Sequence, residues 1–156
     1  MTTASDTLLF AAGNTSSLVL GTLNAGGSVL IGAGGLSVAG GYCSGYIYGS
    51  GGLTVTGGTL VLTNADAYSG TTVITAGATL QLGNGTNNGS IANSSIVDNA
   101  ILEFVENSNQ SYGNALTTTN GGGQITDGNS NQITLAGLNA FLAAGGTVPG
   151  GNNIVP

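Results

Sequence analysis

The stretch Gly51–Gly85, GGLTVTGGTLVLTNADAYSGTTVITAGATLQLGNG, decides how this 156-residue chain folds. Within it, LTVT (Leu53–Thr56), TLVLT (Thr59–Thr63), TTVIT (Thr71–Thr75) and TLQLG (Thr79–Gly83) alternate aliphatic residues with hydroxyl or amide residues. A period of two is the pattern of a strand with one buried face. Turn residues such as Gly57-Gly58 and Asn84-Gly85 stop each burst after four or five residues. The same lettering extends outward from this stretch. Before it stand SLVLG (Ser17–Gly21), SVLIG (Ser28–Gly32), LSVA (Leu36–Ala39) and YIYG (Tyr46–Gly49); after it stand AILEFV (Ala100–Val105) and QITLAG (Gln132–Gly137).

Bursts at this spacing also suit an antiparallel sandwich. Three features favour a solenoid: the strands are short, the turns are small and glycine-rich, and nearly every strand places Leu, Val or Ile inside with Thr or Ser outside. Stacked coils set like residues above like at about 4.8 Å, so uniform lettering is what stacking selects. The expected fold is all-β, a right-handed parallel β-helix. At roughly 20 residues per coil it makes seven or eight short coils rising about 35 Å. The solenoid is expected over residues 1–136, and residues 137–156 form an irregular C-terminal cap, in which GLNAFLAAGG (Gly137–Gly146) allows one or two helical turns and TVPGGNNIVP is turn-rich.

Composition narrows the function. Gly (30), Thr (20), Asn (17) and Ser (14) fill 81 of the 156 positions, yet 40% of residues are hydrophobic, enough for a core where a disordered chain has little. Lys, Arg, His and Trp are absent. Without cations the chain cannot neutralise phosphates, so no nucleic acid is expected as partner. A Walker loop lacks its lysine, and His-dependent triads and imidazole-bound zinc are ruled out. Anionic membrane surfaces should repel the chain, and no apolar run is long enough for a membrane helix, so no membrane insertion is expected. The N-terminal MTTASDTLLFAAGNTSS has no basic region followed by a long apolar run, so no signal peptide is read there. Cys43 is the single cysteine; it reads as a buried small residue, with an intermolecular disulfide as the alternative.

The opening stretch resembles the autotransporter-associated β-strand repeat. The resemblance rests on Gly57-Gly58-Thr59-Leu60-Val61-Leu62, on the turn-like Asn64-Ala65-Asp66-Ala67-Tyr68-Ser69-Gly70-Thr71-Thr72, and on Ala76-Gly77-Ala78-Thr79-Leu80-Gln81-Leu82-Gly83. Ala100-Ile101-Leu102-Glu103-Phe104 is similar to a further strand of such passengers, with Ala100 where Gly-Thr is usual. The close match covers about a fifth of the chain, in one good copy. It implies a right-handed parallel β-helix on the outer surface of a Gram-negative-type bacterium. No translocator barrel accompanies it in this sequence.

Candidate sites are few. Glu103 and Glu106 are the closest carboxylate pair, with Asp98 nearby, but residues three apart on a strand face opposite ways and do not converge as a glycosidase pair must. These carboxyls read as solvated charges. GGGQITDGN (Gly121–Asn129) is similar to a calcium-binding nonapeptide with its Asp one place late, and as a lone copy it reads as a glycine-rich turn. Thr54-Val55-Thr56 has the spacing of an ice-binding pair without an array behind it, and the Asn-x-Ser/Thr triplets at Asn14, Asn84, Asn88, Asn93 and Asn109 follow from composition. Tyr42, Tyr46 and Tyr48 lie close together. They read either as packing between coils or as an outward strip that stacks on a glycan or a neighbouring subunit. No catalytic, metal or cofactor-binding residue is assigned. The functional expectation is a non-enzymatic structural or adhesive element, extracellular or on a bacterial outer surface, with a host or biofilm glycan or protein as partner. A filament or sheath subunit that self-associates end to end, and a glycan-binding or glycan-acting β-helix, are the alternatives.

Overall fold

Alternating side chains give each short strand one apolar face, and a single such strand cannot bury that face alone. The chain solves this by winding. In the computed structural model, which describes residues 8–9, 15–150 and 153–156, the strands in order are β1 (Leu8–Leu9), β2 (Leu18–Leu20), β3 (Leu23–Ala25), β4 (Val29–Ile31), β5 (Leu36–Val38), β6 (Gly41–Cys43), β7 (Ile47–Gly49), β8 (Leu53–Val55), β9 (Thr59–Leu62) and β10 (Ala65–Tyr68). They continue as β11 (Thr72–Ile74), β12 (Thr79–Leu82), β13 (Ser90–Ile91), β14 (Ile96–Asp98), β15 (Ile101–Phe104), β16 (Gln110–Tyr112), β17 (Leu116–Thr117), β18 (Gln124–Asp127) and β19 (Ile133–Leu135), then helix α1 (Leu138–Ala143) and β20 (Ile154–Val155). Asp6 and the triplet at Asn14 lie outside the described residues.

Up to β19, neighbouring strands within a sheet are three apart in chain order. One sheet is β2-β5-β8-β11-β14-β17, a second is β3-β6-β9-β12-β15-β18, and the third side is β1-β4-β7-β10-β13 continued by the separate sheet β16-β19-β20. Every strand pairing among the described residues is parallel. Three strands therefore make one turn, and the molecule is a parallel β-solenoid of about seven coils, the fold class that the lettering predicts.

Register lines the interior with columns of like residues. Leu60, Leu80, Leu102 and Ile125 stack in one column, and Cys43, Leu62, Leu82 and Phe104 in the next, all buried. Each such side chain stabilises the stack by about 1.5–3 kcal/mol on full burial. Coil length is not constant. Leu36 pairs with Leu53, 17 residues on, whereas Thr72 pairs with Ile96, 24 on, and Ala65 with Ser90, 25 on. The strands stay short throughout, so the corners absorb the extra residues, and no fixed-length repeat is visible in the sequence.

Two local expectations need correction. The segment read as the turn of the repeat contains β10, because Asp66 and Tyr68 alternate into the interior; the buried Tyr68 hydroxyl lies 2.7 Å from Thr72 Oγ1. The glycine-rich GGGQITDGN contains β18, which pairs with β15 and buries Ile125. After β19 the chain makes one more circuit. Helix α1, with Leu138 and Phe141 buried, stands beside β17 where a strand would come next; Thr147 bridges to Gln124, and β20 pairs with β19.

Candidate interaction surface

Three of the five tyrosines sit on one coil, in GYCSGYIYG (Gly41–Gly49). Alternation places Cys43 and Ile47 in the core, and Tyr42, Ser44, Tyr46 and Tyr48 on the outside. Glycines bracket the segment. Gly41 and Gly49 have φ of 136° and 126°, and a Cβ on either would lie 2.0 Å from Leu23 O or 2.1 Å from Ile31 O. The backbone of this coil therefore lies close on that of the previous one, and the tyrosines stand on that contact.

Tyr46 and Tyr48 form a stacked ring pair, centroids 5.5 Å apart and planes 13° from parallel. Tyr48 stands in register between Leu30 and Ala67, so the pair rests on an apolar outer column. Tyr46 is 39% exposed and Tyr48 half-buried. Tyr42 lies on the adjoining sheet, 40% exposed. Its backbone N–H donates to Asn24 Oδ1 (3.2 Å), and its hydroxyl accepts from Asn84 Nδ2 (3.1 Å) and Thr63 Oγ1 (3.4 Å). Among the described residues, the aromatic ring paired with Tyr46 is that of Tyr48. Arrangements of this kind present apolar ring surface with a polar tip, which suits stacking on a sugar ring or on another aromatic.

Asp98 and Glu106 are not the solvated charges that the sequence reading expects, whereas Glu103 faces outward. Asp66, Asp98 and Glu106 are buried, at 1%, 0% and 0% exposure. Asp66 shares an inward column with Ile47 and Ile91, and Asp98 one with Val55 and Ile74. Asp66 Oδ1 accepts from Ile47 N–H at 2.7 Å, and Asp98 Oδ1 from Ala100 N–H at 3.0 Å. Burial raises the Asp66 pKa to about 7 and that of Asp98 to about 6, each against backbone N–H groups that lower it. Glu106 accepts from Gly89 N–H and from the Tyr112 hydroxyl (2.7 Å to Oε1); burial pushes its carboxyl up, and these bonds pull it back. Burial also raises the Cys43 thiol to about 11, with Asp66 adding to the effect, so this cysteine is an inert core residue.

These carboxyls do not meet in a cleft. Glu103 points outward from β15 while Glu106 points inward, as residues three apart on an extended chain should. Asp127 is engaged by Asn129 N–H (3.0 Å) and by Asn153 Nδ2 (3.0 Å). Among the described residues no three His, Cys, Asp or Glu side chains come together in a metal-holding group, and no helix is long and apolar enough to cross a membrane. A shallow open groove beside Gly77 and Ala100 has only the amides Asn99 and Gln124 as polar side chains. In comparisons with known proteins, no family model, no curated protein and no solved structure matches the chain.

Proposed function

We propose that the chain is a non-enzymatic structural and adhesive segment of a bacterial extracellular surface, built in the manner of an autotransporter passenger. The observation that carries this reading is the stacked Tyr46–Tyr48 pair standing outward on its coil, with Tyr42 on the adjoining face. The repeat-like segment Gly57–Gly83 supports the passenger assignment. A stack of coils is a shaft that projects contact residues away from an anchor. The absence of Lys, Arg and His, together with carboxyls that are either apart or sealed in the core, supports a role without catalysis. The partner we favour is a neutral glycan, because a chain without cations offers acidic sugars no counter-charge.

A glycan array probed with the purified chain and its Tyr46→Ala and Tyr48→Ala variants tests this. Retention on neutral glycans should fall about tenfold or more in each variant, the size of effect seen when an aromatic anchor is truncated. Equal retention by the variants, or turnover of any glycan, would remove the reading.

End-to-end assembly is a second reading, favoured by one specific observation. Among the described residues, β2 and β3 are terminal strands of their sheets, with Leu18 and Leu20 only partly buried and Val19 73% exposed. Strand edges of this kind are templates for pairing with another copy. Electron microscopy at high protein concentration should show rods; monomers throughout would end it.

A further inference from the structure

The three sealed carboxyls have no part in the proposed adhesion, and the chain has no cation to pair with any of them. We infer that this solenoid is locked by protons: Asp66 and Asp98 are enclosed in the core in their neutral form, so folding takes up protons and the molecule is firmest in acid.

The geometry carries the inference. Both side chains occupy places in inward columns that are otherwise aliphatic, Asp66 between Ile47 and Ile91 and Asp98 above Ile74 and Val55. Asp66 Oδ1 accepts from one backbone N–H, that of Ile47, and Asp98 Oδ1 accepts from Ala100 N–H, with the backbone N–H groups of Gln124 and Leu102 also favouring the Asp98 carboxylate against the larger effect of burial. The other oxygen of each, Oδ2, is buried with no hydrogen-bond partner. A carboxylate in that setting leaves most of its hydration unreplaced, and such a group neutralises itself by keeping its proton.

The surrounding ionisable groups give no relief. Asp66 faces the Cys43 thiol and the Tyr68 hydroxyl, both neutral across the physiological range; Tyr48 on β7 points outward, and β13 has no ionisable residue. Around Asp98, β11, β17 and α1 carry no ionisable side chain. Glu103 of β15 points to solvent, and Asp127 of β18 is bonded to Asn129 and Asn153. Among the described residues, the ionisable group bonded to the Glu106 carboxyl is Tyr112, whose hydroxyl donates to it.

The sign follows from linkage. An unfolded Asp releases its proton near pH 3.9, whereas in the fold Asp98 holds it to about pH 6 and Asp66 to about pH 7. Between those limits the folded chain binds more protons than the unfolded one, so stability falls as pH rises. The contribution is complete below about pH 4 and is lost by about pH 7. Ordinary acid unfolding is driven by protonating paired carboxylates and charging buried His. Here no carboxylate has a cationic partner and there is no His, and in acid no side chain carries charge, so nothing opposes the compact state by self-repulsion.

Urea unfolding at constant ionic strength between pH 4 and pH 8 tests the inference. The midpoint should fall steadily with rising pH. Asp66→Asn and Asp98→Asn keep an acceptor for the same N–H and cannot ionise, so each should flatten part of the slope and the double variant most of it. Glu103→Gln, on the surface, should leave the slope as it is. Should the Asn variants fail to fold, the wild-type chain unfolded by urea in unbuffered solution at pH 5.5 should release about two protons per molecule. A midpoint that is level or rises across this range, Asn variants with the parent slope, or no proton release would each overturn it.

Discussion

At the scale of single residues, the solenoid depends on glycines that have no substitute. At Gly49 a methyl group would meet Ile31 O at 2.1 Å, and the residue has φ of 126°. Gly49→Ala therefore combines backbone strain with a clash that only a backbone shift can relieve, and it should cost about 2 kcal/mol or more in denaturant unfolding. Gly21→Ala is the internal control. A Cβ at Gly21 meets nothing within 4 Å, so the change should stay within about 0.5 kcal/mol. Comparable losses for the two would show that the coils do not approach as closely as the backbone geometry has them. The sequence displays the glycines but not which of them touch, because contact is set by the coil beneath, about 18 residues away. The same holds for the carboxyls. Asp66 and Tyr68 alternate like any strand pair, yet reading Asp66 as buried requires accepting a strand where turn residues flank it on both sides.

Among the elements, legibility followed hydrophobicity. Most bursts with two or more aliphatic residues, such as β4, β5, β8, β9, β11, β12, β15 and β19, are visible in the sequence, while β14, with Ile96 and Val97, is not picked out. β6 (GYC), β10 (ADAY), β16 (QSY) and β18 (QITD) are not visible either, since each offers a single large or sulfur-bearing apolar residue to the interior, Cys43, Tyr68, Tyr112 or Ile125, among small or polar neighbours. Their strand geometry comes from pairing with neighbours already in place, which is tertiary information. Helix α1 is the element whose removal should be most informative. Its six residues are too few for autonomous helicity, so its persistence rests on packing of the buried Phe141. The ring also fills the space against Gly123 and Gly146, where a Cβ would fall 2.8 and 2.3 Å from ring carbons. Phe141→Ala should cost about 3–5 kcal/mol. By loosening the helix over β17 it should also raise self-association, measured by light scattering. A stable, monomeric Phe141→Ala variant would show that α1 is not what guards this strand edge.

For the whole molecule, uniform parallel stacking was legible because one lettering recurs along the chain, whereas the lengthening of coils from 17 to 25 residues was not. Corner residues make no inward column and leave no periodic trace. The missing cations have a whole-molecule consequence as well. Trypsin needs Lys or Arg, so it should leave the chain intact both folded and in urea, while chymotrypsin should cut within residues 15–150 only once the coils open. Tryptic fragments from the purified chain would contradict this. The winding also gives the shaft two unlike poles. The ring pair sits on an early coil, and the helix closes the last circuit, roughly four or five rungs or about 20 Å further along. Molecules moored by the same pole would therefore hold every ring pair at one common altitude, so that a crowded lawn of them offers a single level aromatic layer in place of scattered contacts.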